Sequence, residues 1–239
     1  MPEAVAEYAE SKDYAEVRKI HGQILFTYDQ DFSKHAPLNV IPRIKSIWNS
    51  VPAQLSRENK KFSPGIVQKG SRMNDYEVAF QWLLDCGLLY KVKQVSKPGV
   101  PLISYETTFF KIFIHDVGLL ATKSELDVKT LLEGNRIFEE FKGALTEQYV
   151  LQEMIANEVT PFYWSSNGTA EVDFVFKHGS DVYPLEVKAE ENLQSKSLKV
   201  YSERFKPTVS LRTSMKDYRK ESWLINIPLY AIGTDFLEK

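Results

Sequence analysis

Residues 170–189, AEVDFVFKHGSDVYPLEVKA, constrain this chain more than any other stretch. Two runs alternate apolar and polar side chains on either side of Gly179-Ser180, the pattern of a β-hairpin with one face buried. Val172, Phe174 and Phe176 are expected on one face of the first strand, with Glu171 and Asp173 on the other. In the second strand Tyr183, Leu185 and Val187 take one face, and Glu186 and Lys188 the other. Gly179 followed by Ser180 suits a two-residue type II′ loop, which needs a positive φ at its first central residue only. Such a loop fixes the register. Phe176 then faces Tyr183, Asp173 faces Glu186, and Lys188 faces Glu171.

Directly opposed side chains on one sheet face have Cβ atoms roughly 4.5–5.5 Å apart, where two carboxylates repel. Asp173 and Glu186 therefore need a compensating cation, and Mg²⁺ or Mn²⁺ suits carboxylate oxygens. Lys188, two residues beyond Glu186, is expected beside a scissile phosphate or its attacking water. A lone Glu-x-Lys is ordinarily a solvated strand face. Asp opposite Glu-x-Lys on a tight hairpin is a more specific pattern, and it points to a metal site.

The remaining chain reads as a mixed α/β (α+β) protein in three parts: a helical lead-in (1–35), a winged-helix-like domain (36–118) and an α/β domain (119–239). Residues 1–34 read as helical. Ile41, Ile44, Ile47, Trp48 and Val51 form a helical stripe that Pro52 is expected to interrupt, opening a second short helix. Another helix starts near Asn74, with Glu77 three residues on, and ends near Gly87. LLYKVKQV and VPLISYE then read as a hairpin, and FKIFIHDVGLLATKSELD as a connector. Three helices and a hairpin make a winged-helix layout. Beyond them, residues 136–158 and 191–205 read as helices, and PFYWSS, PTVSLRTS and SWLINIPLY as strands flanking the 170–189 hairpin.

Charge divides along the chain. Residues 43–97 hold ten Lys or Arg against four acids, while 121–239 hold fifteen against nineteen. Arg57, Lys60, Lys61, Lys91 and Lys93 are the candidate DNA contacts. The helix before the hairpin offers Asn74, Asp75, Glu77, Gln81 and Asp85, which phosphate would repel, so base readout by that helix is not expected. The basic stretch is left with two readings, non-specific duplex contact or protein docking. No apolar run reaches the ~18 residues of a membrane span, so no membrane partner is expected. The single cysteine, Cys86, fits a reducing cytoplasm and reads as a buried structural thiol. The four histidines show no metal-ligand spacing, and His115-Asp116 reads as structural.

The hairpin resembles the PD-(D/E)xK nuclease superfamily, with Asp173 and Glu186 at the metal-ligand positions and Lys188 at the lysine. Glu147, in GALTEQYV, matches that superfamily's helix glutamate. MPEAV, LFTYDQDFSKHAP, IPRIKSIWNSVPAQLSRENKKF, RMNDYEVAFQWLLDCGLLYKV and FKIFIHDVGLL resemble bacterial and archaeal AAA-type ATP-binding proteins. Those proteins carry a C-terminal region of unknown function with a nuclease-like end. No G-x-x-x-x-G-K-[ST] occurs, so ATP is expected only in a preceding domain, and the chain reads as a C-terminal piece. The resemblance implies catalytic roles for Asp173, Glu186, Lys188 and Glu147. The expected function is a DNA-associated, divalent-metal-dependent nuclease domain. The alternative is a non-catalytic module coupling the ATPase to a protein partner.

Overall fold

The computed structural model describes residues 1–126, 136–166, 169–189 and 194–233. The chain forms two compact units interleaved in sequence, 1–91 with 112–141, and 92–111 with 142–239.

The first unit is helical. Its helices among the described residues include α1 (Pro2–Ser11), α2 (Tyr14–His35), α3 (Ile41–Leu55), α4 (Pro64–Val67), α5 (Glu77–Asp85) and α6 (Val117–Lys123). Asp13 caps α2 by accepting from the Ala15 N–H, satisfying one of the donors that a helix start leaves open. The predicted stripe on α3 is buried at Ile44, Ile47, Trp48 and Val51. Phe32 of α2 meets the Trp48 and Trp82 rings edge-on at centroid distances of 5.8 and 5.6 Å. Pro52 does not open a new helix, because α3 runs through it to Leu55. The bond lost at Pro52 is tolerated where Val51 and Leu55 are both buried around it. Buried Gln54 holds the following loop at both amide atoms, donating to the Ser63 carbonyl and accepting from the Ser63 N–H.

The helix expected from Asn74 begins instead as a 3₁₀ turn (Met73–Asp75) leading into α5. Its end is as predicted. Gly87 is left-handed, the Leu88 N–H reaches the Leu83 carbonyl and the Gly87 N–H the Leu84 carbonyl, a Schellman stop. Cys86 sits at that stop, past the buried stripe of Ala79, Phe80 and Leu83. It is therefore exposed, not the buried thiol expected from its apolar neighbours.

Among the described residues the strands form one mixed sheet of eight, in the order β2-β1-β3-β4-β5-β6-β8-β7. They are β1 (Leu89–Val95), β2 (Glu106–Ile114), β3 (Phe162–Ser165), β4 (Glu171–His178), β5 (Asp181–Val187), β6 (Ser210–Ser214), β7 (Arg219–Lys220) and β8 (Leu224–Pro228). Helices α7 (Arg136–Ala156) and α8 (Lys196–Phe205) accompany them; residues 191–193 of the expected 191–205 helix lie outside the described residues. The hairpin partner of β1 is ETTFFKIFI, whose second half, FKIFI, is expected from sequence to belong to a connector. VPLISYE is instead a loop with a 3₁₀ turn, since Pro101 offers no N–H to a ladder. Nor is β1 a free wing. It pairs in parallel with β3 from Lys93↔Phe162 to Val95↔Trp164. α8 bridges β5 to the parallel β6, burying Leu198 and Tyr201 against Trp164, Val172 and Val175.

Candidate functional site

The β4–β5 hairpin has the predicted register, with Phe176↔Tyr183 and Phe174↔Leu185 paired and His178↔Asp181 closing on Gly179-Ser180. Gly179 has φ +57°, while Ser180 is not among the residues with positive φ, as a II′ loop requires. Extending the register by one residue sets Asp173 opposite Glu186. There the ladder ends, and Asp173 Oδ2 accepts the Val187 N–H at 2.8 Å, so its carboxylate spans the gap between the parting strands.

On its other side β4 slips. Phe162 pairs with Val175 but Trp164 with Val172, so Asp173 and Phe174 together oppose Tyr163. This bulge breaks the alternation expected from sequence. Val172 and Val175, not Val172 and Phe174, pack into the core beneath α8. Bulges bend a strand and re-aim side chains, and this one falls at Asp173 and Phe174.

Lys188 Nζ lies 2.7 Å from Glu186 Oε1, so the lysine pairs with its own strand's glutamate, not with Glu171. Glu186 is registered beside Arg212 of β6 and shares its side of the sheet. Buried Arg212 donates through Nε to Asn226 Oδ1 at 2.9 Å, and its Nη1 reaches Ser195 Oγ at the start of α8. Burial pulls the Arg212 pKa down, while the fields of Glu221 and Glu186 oppose that shift. The other carboxylate oxygen, Glu186 Oε2, is buried without a hydrogen-bond partner among the described residues.

Glu171 and Glu147 meet a cation that the sequence analysis did not single out. Lys111 of β2 is fully buried, with Nζ 2.6 Å from Glu171 Oε1 and 3.7 Å from Glu147 Oε2, and 5.0 Å from the Tyr163 ring centre. Burial works against this charge, but Glu147, Glu171 and Asp173 outweigh it and hold the ammonium above the usual lysine range. Glu147 thus lies in an ion pair within the second unit. The signal in the sequence was a lysine inside the apolar run FFKIFI, because a buried charge needs a partner.

Among the described residues, no three or more His, Cys, Asp or Glu side chains are grouped so as to hold a metal ion. Asp173 and Glu186 are the two carboxylates that the extended register sets opposite one another, and together they would offer a metal two carboxylate donors. That set fits Mg²⁺, which commonly takes one or two carboxylates and keeps several waters. Of the candidate DNA contacts, Lys93 is engaged by Glu106 at 2.6 Å. Arg57, Lys60, Lys61 and Lys91 belong to the first unit and Lys93 to the second.

A model of a domain of unknown function, DUF8612, matches residues 1–130. The chain belongs to the DUF8612 family. A second domain of unknown function, DUF4143, matches residues 142–231 of this DUF8612 protein, and that domain commonly lies C-terminal to AAA-type ATPases. No curated protein and no solved structure matches the chain. Glu147, Glu171, Asp173, Glu186 and Lys188 fall within the DUF4143 match, whereas Lys111 falls within DUF8612. No described helix is long and apolar enough to cross a membrane.

Proposed function

We propose that the second unit is a PD-(D/E)xK-type domain that binds one divalent cation at Asp173 and Glu186 and cleaves phosphodiester bonds in DNA. The observation that carries this reading is Glu186 Oε2, a buried carboxylate oxygen left without a hydrogen bond among the described residues, on the residue that the extended register sets opposite Asp173. A buried anionic oxygen without a donor is costly, and a cation satisfies it. The element order α7-β3-β4-β5-α8-β6, with an antiparallel meander followed by a parallel strand, supports the same reading.

Local charge supports it too. Glu147, Glu171, Asp173 and Glu186 face Lys111, Lys188 and Arg212, leaving one net negative charge. A divalent ion reverses that sign and makes the site attractive to a phosphodiester. When bound, such an ion lowers the pKa of a coordinated water toward neutrality. Lys188, held against Glu186, stands ready to donate to a phosphoryl oxygen as charge develops there. Asp173, tied to the Val187 N–H, keeps its carboxylate at the split between the strands.

The test is cleavage of linear and single-stranded DNA with Mn²⁺ or Mg²⁺, comparing the native chain with Glu186→Gln and Lys188→Ala. Cleavage that needs the ion and disappears in both folded variants supports the proposal. Cleavage unaffected by Glu186→Gln sinks it. The rival reading, a docking module for an ATPase, is favoured by Val100, Ile103 and Phe109, which are exposed on or next to edge strand β2. It gains if the folded protein neither binds the ion nor cuts.

A further inference from the structure

Lys111 occupies ground that two carboxylates would otherwise share. Its ammonium lies between Glu147 of α7 and Glu171 of β4, against the Tyr163 ring, with no exposure to solvent. Asp173 contributes to the same field from the bulge. Two carboxylates within ion-pair reach of one buried point would ordinarily need a metal ion between them or fail to stay ionised. Here a covalently tethered charge does that work, and it cannot dissociate.

We propose that Lys111 is a built-in replacement for a second divalent cation, and that it restricts the site to one ion, the one at Asp173 and Glu186. This inference deepens the nuclease reading by fixing the ion count. The logic is local. Glu147 and Glu171 already satisfy Lys111, so an ion entering between them would have to displace a fully buried ammonium. Removing the charge while keeping the bulk, in Lys111→Met, leaves Glu147 and Glu171 without their cation and opens their oxygens to a hard ion. Lys111 is a positioning residue in this scheme, because nothing requires it to touch substrate.

The experiment counts Mn²⁺ ions by equilibrium dialysis and reads their environment by electron paramagnetic resonance. The native chain should take up one Mn²⁺ and, at saturation, show only isolated-ion signals. Lys111→Met should take up one ion more than the native chain, and adding Glu147→Gln and Glu171→Gln should remove that extra ion. A Lys111→Met chain that unfolds without metal and folds on adding Mn²⁺ also supports the inference. A folded Lys111→Met chain with an unchanged ion count overturns it. So does a spin-coupled Mn²⁺ pair in the native chain, a measurement that needs no variant. If the native chain binds no ion while Lys111→Met binds one, the reading of Asp173 and Glu186 fails and the assignment of Lys111 stands.

Discussion

Replacing Lys111 by Met should cost the second unit several kcal/mol even without any metal, and about half of that cost should vanish when Glu147 is also neutralised. At an effective dielectric of about 20, a unit charge pair at the 3.7 Å of Lys111–Glu147 is worth roughly 4 kcal/mol, and the 2.6 Å contact to Glu171 roughly 6 kcal/mol. These gross attractions are largely spent on desolvating the groups, so the intact cluster adds little net stability. Breaking it is another matter. A buried carboxylate left without its cation typically costs about 3–5 kcal/mol. The larger share should fall on Glu147, whose side chain is 7% exposed, because Glu171 at 28% can turn toward water. Lys111→Met should therefore lose about 3–5 kcal/mol, Lys111→Met/Glu147→Gln about half as much, and the coupling should exceed about 1.5 kcal/mol. Urea denaturation followed by fluorescence is a suitable assay, since Trp164 is buried in β3 of the same unit. A loss under about 1 kcal/mol in the single variant, or additive losses in the pair, would refute the view that Lys111 is the counter-charge of this cluster.

Asp173→Ala should abolish the rise in melting temperature that Mn²⁺ gives the native chain by mass action, and an undiminished rise would place the ion elsewhere. Gly179→Ala puts a Cβ on a residue at φ +57° and should destabilise the hairpin by about 1–2 kcal/mol, with thermal melting as the check. His115 donates from Nδ1 to the Leu88 carbonyl and accepts from the Tyr28 hydroxyl at Nε2, and burial lowers its pKa, with Leu88 and Asp116 opposing. Below pH 6.5 the unfolded chain therefore binds the proton more readily than the folded one, so stability should fall as pH drops through that value. His115→Gln should flatten that slope in urea titrations at stepped pH, and an unchanged slope would assign it to other groups. Cys86 should react with a disulfide reagent in the native chain, but slowly at neutral pH, because partial burial and then Asp85 raise its pKa and deplete the thiolate.

The hairpin was legible because its determinants are local. Alternation in two short runs and a Gly-Ser loop suffice to set which residue faces which, and the pairing of Phe176 with Tyr183 follows. The bulge at Asp173 was not legible, because it belongs to the fit of β4 against β3, and nothing in EVDFVF announces what lies on its far side. Lys111 escaped for a similar reason. Its partners sit on a helix and a strand far along the chain, and only the assembled fold brings them together. The N-terminal helices followed from their apolar spacing, yet Pro52 was weighted as a breaker where burial on both sides carried the helix past it. The second half of the true partner of β1 was mistaken for a connector, since its continuous apolar run lacks the alternation that marks a strand with one wet face.

The sheet also has a bearing on how such a chain can be inherited or cut. Residues 1–130 contribute β1, β2 and Lys111, while residues 142–231 contribute the other six strands and the acids that Lys111 serves. A gene encoding only the second stretch would leave β3 as a bare margin, although all four of its residues are buried in the whole protein. It would also inherit the buried Glu147, and Glu171 beside it, without the charge that pairs with them. The two stretches match separate family models, but physically neither is a cassette. Any shuffling event that parts them must bring along another strand and another cation, or the lineage that receives it acquires an adhesive, half-finished sheet.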